Sequence, residues 1–182
     1  MSLDTLDALS TDRLVIRPVD DTDIADLLAV NGDAEVVRHL PCGAWRSLAD
    51  GQAWLGRMRA LQDAGTGRQF VLVSRGEGRA IGTVLLFRHE PSSARAEVGY
   101  VLGRAHWGRG LMRETLRAFC KAAFMQVCLH RIEAEALPEN QASNRLLASL
   151  GFTLEGRLRQ RWRTEGGGRD VNHWGLLIGE LR

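Results

Sequence analysis

Lysine is almost missing from this chain. Of its 24 basic residues 23 are arginine, and Lys121 is the single lysine. Codon usage in the source genome suffices to produce such a bias, although each arginine also brings a forked, permanently charged donor suited to phosphate and carboxylate. Cysteine is scarce too: Cys42, Cys120 and Cys128 make an odd number with no Cys-x-x-Cys spacing. That argues against a disulfide framework and for reduced, mostly buried thiols in a cytosolic protein. Long apolar runs are absent, and stretches such as Val84-Leu85-Leu86-Phe87 are far too short to span a bilayer. No basic residue precedes Arg13, whereas Asp4, Asp7 and Asp12 do, the reverse of the positive start of a secretory signal. A cytoplasmic location is therefore expected, with no membrane contact. His106, His130 and His173 share no metal-ligand spacing, and no metal is expected. The net charge of +2 is too modest for a dedicated nucleic-acid binder.

What is present is ordinary globular usage, 182 residues with 45% hydrophobic and 25% charged side chains, enough for one domain over residues 1–182. The charge is unevenly spread. Residues 1–63 hold 6 arginines against 11 acids, and residues 64–182 hold 18 basic residues against 11 acids.

The pattern predicts a strand over Arg13–Pro18 and one or two short helices over 20–40, split near Asn31-Gly32-Asp33. A longer helix starts at Ser47, where Ser-x-x-Asp resembles a capping box. Its inner face is expected to carry Leu48, Leu55, Met58 and Leu61, and Gly65 stops it. Strands Gln69–Arg75 and Arg79–Arg88 flank a Gly76-Glu77-Gly78 turn. A strand over Arg95–Leu102 follows, and then a helix over 112–127 with the stripe Met112, Leu116, Phe119/Cys120, Ala123 and Val127. His130–Leu137 reads as a strand. Asn140 can cap a helix carrying Ala142, Leu146, Leu147 and Leu150, closed by Gly151. Two last strands, 152–164 and 170–178, surround a Glu165–Gly168 hairpin. A strand–helix–strand centre with hairpins on either side predicts a mixed α/β sheet with helices on both faces.

The junction of strand 95–102 with the following helix is the most informative stretch. Gly108 and Gly110 let the backbone turn tightly and gather N–H groups at a helix start, where an anion is favoured. Arg109 and Arg113 add positive charge. Gly-x-Gly alone is equally compatible with a purely steric helix start, and it is neither a Walker motif nor a Rossmann fingerprint.

Four segments occur in order: Trp107-Gly108-Arg109-Gly110-Leu111-Met112, His130-Arg131-Ile132-Glu133-Ala134, Pro138-Glu139-Asn140-Gln141-Ala142-Ser143, and Leu150-Gly151-Phe152-Thr153-Leu154-Glu155-Gly156. Together they resemble the GNAT superfamily of acetyl-CoA-dependent N-acetyltransferases, with the closer likeness to its RimJ/RimL-type branch of ribosomal-protein N-terminal acetyltransferases. The resemblance implies a GNAT fold, a mixed and mostly antiparallel sheet of about seven strands with some four helices, its central parallel pair splayed around acetyl-CoA. It implies that backbone amides of Gly108, Arg109, Gly110, Leu111, Met112 and Arg113 hold the CoA pyrophosphate, and that Val101 and Leu102 pair with pantetheine. It further implies that Asn140 contacts the cofactor and Ser143 protonates the departing thiolate. Read without the family, Asn140 is a helix cap and Ser143 a first-turn hydrogen bonder.

The chain departs from the pattern in three places. Ala105 stands where the loop motif usually begins with Gln or Arg. Leu147 stands where many members carry a tyrosine acid, which leaves Ser143 as the candidate acid. The strand position at which some relatives have a carboxylate is Arg161-Trp162. Glu97, on the cleft side of its strand, is the candidate base, and a structural carboxylate paired with an arginine is the alternative. Arg157, Arg159, Arg161 and Arg163 alternate, which on a regular strand puts four guanidiniums on one face, with Leu158, Gln160 and Trp162 on the other. Such a ladder is either a solvated edge or a docking surface for an acidic substrate protein or ribosomal RNA. The expected reaction is direct acetyl transfer in a ternary complex to a primary amine, a protein N-terminus such as a ribosomal protein's. A small-molecule amine (aminoglycoside, polyamine or amino acid) and a non-catalytic CoA-binding module are the alternatives. Oligomeric state is not legible.

Overall fold

One parallel pair of strands at the middle of an otherwise antiparallel sheet organises the molecule. The computed structural model describes residues 2–164 and 166–182. In chain order these form β1 (Leu9–Ser10), β2 (Leu14–Pro18), α1 (Ile24–Asn31), α2 (Ala34–Val37), α3 (Leu48–Asp63), β3 (Gly67–Ser74) and β4 (Ala80–Glu90). There follow β5 (Arg95–Leu102), α4 (Leu111–Gln126), β6 (Arg131–Ala136), α5 (Gln141–Ser149), β7 (Thr153–Thr164) and β8 (Gly167–Leu177). The eight strands lie in the order β1-β2-β3-β4-β5-β6-β8-β7, and β5–β6 is the parallel pair. Among the described residues there are thus eight strands and five α-helices, where about seven and some four were expected. The additions are the two-residue β1 and the single turn of α2.

Alternation on the strands separates the two faces of the sheet. On β3, Phe70 and Leu72 join the main core with Leu116, Phe119 and Cys120 of α4. Val71 and Val73 turn the other way, towards Leu27 of α1 and Trp54 of α3. Helices therefore cover both faces. The α4 stripe is buried as expected. Asp50 accepts hydrogen bonds from the N–H groups of Arg46 and Ser47 (2.7 and 3.0 Å), so the capping box of α3 is made.

Four expectations need correction. Leu48 is 50% exposed; of the expected inner face Leu55 is buried, and at the first turn it is Gly51, packed against Ile24 and Trp45, that faces inward. Ala142 likewise faces solvent while Leu147 and Leu150 are buried. Of the thiols only Cys120 is buried; Cys42 and Cys128 are exposed. The arginine row on β7 is not a one-faced ladder. The β7–β8 register shifts between Leu158 and Trp162, and Gln160 lies at φ +51°, so the strand bulges and the alternation loses phase. In the last hairpin Gly167 and Gly168 already belong to β8, and Glu165 lies outside the described residues. No described helix is long and apolar enough to cross a membrane.

Candidate active site

The parallel pairing of β5 with β6 is short. Arg95, Ala96 and Glu97 lie opposite Arg131, Ile132 and Glu133, and no rung follows. β4 pairs with β5 as far as Leu102, and β8 with β6 as far as Ala136. Each strand therefore continues beside its outer neighbour while the two inner edges part. Backbone groups of β5 beyond Glu97 are left facing a cleft, which is where an extended ligand can add hydrogen bonds.

A cavity of about 570 Å³ fills the α4–α5 side of this cleft, walled by Val101, Leu102, Gly108, Gly110, Met112 and Asn140 among others. Leu111, Arg113 and Ser143 also line it; Arg109 does not. Gly108 and Gly110 sit at φ +72° and +74°, a conformation glycine adopts without a Cβ penalty. Their turn brings the first N–H groups of α4, which have no intrahelical acceptor, to the cavity. Arg13 fixes the turn from outside. Its Nη1 donates to the Arg109 carbonyl at 2.8 Å and its Nε to Glu114 at 2.7 Å. At the strand end, Trp107 Nε1 donates to the Leu102 carbonyl at 2.7 Å. A narrow apolar slot ending in a ring of N–H donors is the donor set that a pantetheine arm with a pyrophosphate requires. These residues fit a CoA thioester.

A second cavity, of about 310 Å³, lies on the α1–α3 side, with Trp45, Trp54, Phe87 and Trp162 in its walls. Glu97 and Glu135 bring two carboxylates into it. The glutamates are 7% and 1% exposed at their side chains and share Arg88, whose Nη1 lies 2.6 Å from Glu97 and 3.5 Å from Glu135. Glu135 also accepts from Arg161 Nε (2.9 Å) and Trp162 Nε1 (2.7 Å). Burial first and the Glu135 carboxylate second push Glu97 up to about 7, against the opposing pull of Arg88. The two sequence readings of Glu97 are thus not exclusive: it is paired with an arginine, and it is a carboxylate poised near neutrality.

The cavities meet at His39, Leu40, Tyr100, Val101, Asn140 and Ser143, which line both. Asn140 caps α5 by accepting from the Ser143 N–H at 3.1 Å. The Ser143 hydroxyl lies 2.7 Å from the Tyr100 hydroxyl. Sequence reasoning missed Tyr100, Glu135 and Arg88. Tyr100 alternates with Ala96 and Val98 and so read as core. Glu135 could have been found, since Arg131-Ile132-Glu133-Ala134-Glu135-Ala136 puts its acids on one face by the same period that singled out Glu97. No periodic signal marks Arg88, which sits at φ +50° in a β4 bulge.

Residues 13–153 match the family described as the acetyltransferase (GNAT) domain. The uncharacterized N-acetyltransferase p20 of Bacillus licheniformis is 31% identical over 172 residues, 94% of this chain and 97% of that protein. The [ribosomal protein uS5]-alanine N-acetyltransferase of Escherichia coli is 33% identical over 174 residues, 89% and 86% of the two chains. Among solved structures, Mycobacterium smegmatis RimJ in complex with CoA-disulfide superposes with a TM-score of 0.84 at 24% identity, covering 92% of this chain and 83% of that one. The fold, the cleft and these relatives agree: the chain belongs to the GNAT family and is an acetyl-CoA-dependent N-acetyltransferase.

Proposed function

We propose that the acceptor is the α-amine of a protein N-terminus of ribosomal-protein type, acetylated by direct attack within a ternary complex. The observation that carries this reading is the meeting of the two cavities at Tyr100 and Ser143, with a thioester-sized slot on one side and a carboxylate-bearing pocket on the other. The uS5-alanine enzyme, similar over most of its length, supports the choice of acceptor.

When bound, acetyl-CoA supplies an activated acetyl group. The chain's own residues do the rest. Backbone N–H groups at Gly108, Gly110, Leu111, Met112 and Arg113 hold the pyrophosphate; Arg109 contributes through its backbone, its carbonyl being tied to Arg13. Val101 and Leu102 offer the β5 edge to pantetheine, and Asn140 orients the start of α5. An ammonium entering the smaller cavity meets Glu97, which accepts its proton so that nitrogen can form the C–N bond. The C–S electron pair leaves with sulfur, which takes the proton of the Ser143 hydroxyl, and the second proton shed by nitrogen as the amide forms restores the serine. Two thiols are poor covalent relays: burial pushes Cys120 up to about 12, and local desolvation at the wall of the smaller cavity raises Cys42 even though that residue is exposed overall. Transfer without an acetyl-enzyme follows.

Release of CoA thiol with a panel of N-terminal peptides, polyamines and aminoglycosides tests the reading. Peptides with a free α-amine are expected to turn over and their N-acetylated counterparts not. A preference for the small amines over every peptide would overturn the acceptor assignment, and absence of turnover with all amines would overturn catalysis.

A further inference from the structure

We propose that Tyr100 is a positioning residue for the transfer step, holding the Ser143 hydroxyl so that one O–H is always directed into the junction of the two cavities. The inference rests on the reading above in which Ser143 donates to the departing sulfur. A serine in the first turn of a helix ordinarily satisfies itself by donating back to a carbonyl one turn earlier. Here the Asn140 carbonyl is already taken by the Asn144 N–H and by Asn144 Nδ2. Among the described residues the Ser143 hydroxyl has one partner, Tyr100, and Tyr100 has no other partner than Ser143.

Two hydroxyls carry two protons and their mutual bond uses one. The second proton has no protein acceptor among the described residues, and both residues line the space shared by the cavities. With Tyr100 as donor, the Ser143 O–H is the one left for the cavity. Burial pushes the phenol well above its ordinary value, so it keeps its proton throughout the working range of pH. The position of Tyr100 is itself determined by the splay. It lies three residues past the last β5–β6 rung, opposite Val84 of β4, where the opened edge lets its ring reach α5.

The test is a double-mutant cycle on kcat with Tyr100→Phe, Ser143→Ala and the pair. Tyr100→Phe is expected to lower kcat about tenfold, the upper range for one hydrogen bond, with KM for acetyl-CoA within about twofold. Ser143→Ala is expected to cost at least as much, and the double variant to be no slower than Ser143→Ala. Losses that multiply, or a KM rise in place of the kcat loss, would overturn the inference. Wild-type kcat in Tyr100→Phe with a slow Ser143→Ala would overturn it alone. Wild-type kcat in Ser143→Ala would overturn the serine's role and this inference with it. Tyr100 is also the only tyrosine of the chain, so growth on 3-fluorotyrosine alters this phenol alone with almost no change of shape. The fluorinated protein is expected to differ in kcat from its parent by at least about twofold, the scale of a few tenths of a kcal/mol within one hydrogen bond, and this difference should vanish in the Ser143→Ala background. An equal difference in both backgrounds would overturn the proposal.

Discussion

Replacing Glu97 by glutamine has two consequences of opposite sign, and together they test the site. The carboxyl goes from an ordinary 4.5 in the unfolded chain to about 7 in the folded protein, so between these values the folded state binds more protons than the unfolded one. Stability contributed by this group is therefore greatest below pH 4.5 and falls as pH rises towards and through 7. Integrated from pH 5 to pH 8, that loss amounts to roughly 2–3 kcal/mol. Glutamine does not titrate and escapes it. Glu97→Gln is thus expected to gain on the wild type by about that amount between pH 5 and pH 8, read from urea unfolding at each pH. In the same interval the wild-type kcat/KM is expected to rise with a midpoint near 7, as the carboxylate becomes available to take the amine's proton. The variant should lose this rising limb together with about a hundredfold or more of rate. Parallel unfolding curves at all pH values, or a rising limb that survives in Glu97→Gln, would refute the assignment of Glu97 as a buried base.

Arg88→Gln removes the charge that holds Glu97 down; the midpoint of the wild-type rising limb is expected to move upward, read in the same pH profile. Arg13→Ala frees the Arg109 carbonyl and Glu114. Calorimetry should show acetyl-CoA binding weakened several-fold, while stability falls by less than about 1 kcal/mol because the pair is exposed. Asn140→Ala removes the cap on the Ser143 N–H, at about 1 kcal/mol and a Tm lower by roughly 2–4 °C; kcat should fall with it. The double variant Arg159→Glu, Arg163→Glu, at exposed positions of β7, is expected to leave turnover of a short uncharged peptide within about twofold, since rim charges act through screened fields.

Periodicity made most of the framework legible. Arg95–Leu102 is β5 to the residue, α4 differs by one residue at each end, and Asn140 caps α5 as its type and place suggest. Each of these depends on residues close in sequence. What failed depends on a neighbour across the sheet. A bulge is a mismatch between two strands, and neither strand alone encodes it. The slip at Leu158–Trp162, four steps of β7 against two of β8, therefore stayed hidden, and with it the left-handed turn at Gln160 that breaks the alternation. The positive φ of Arg88 stayed hidden for the same reason, and with it the shared guanidinium between Glu97 and Glu135. Tyr100 failed differently: its period was read correctly as pointing to the core, and only the splay of β6 opens that side.

The excess arginine of the second half of the chain now has a use that the sequence did not disclose. Glu97, Glu133 and Glu135 stand close together where β5 and β6 part, a like-charge group that burial alone would not tolerate as carboxylates. Arg88 bridges two of them, Arg161 holds Glu135, and Arg95 and Arg131 hold Glu133. Arg157 is drawn to Asp170, so two members of the expected β7 ladder are spent within the protein. Guanidinium suits this task because its fork can serve two carboxylates while its charge never titrates; a lysine would offer a point charge to one. The balance is also asymmetric. Glu133 and Glu135 are each held by two arginines, whereas Glu97 has only a share of one half-exposed guanidinium. The carboxylate proposed as the base is the one the arginines leave least neutralised.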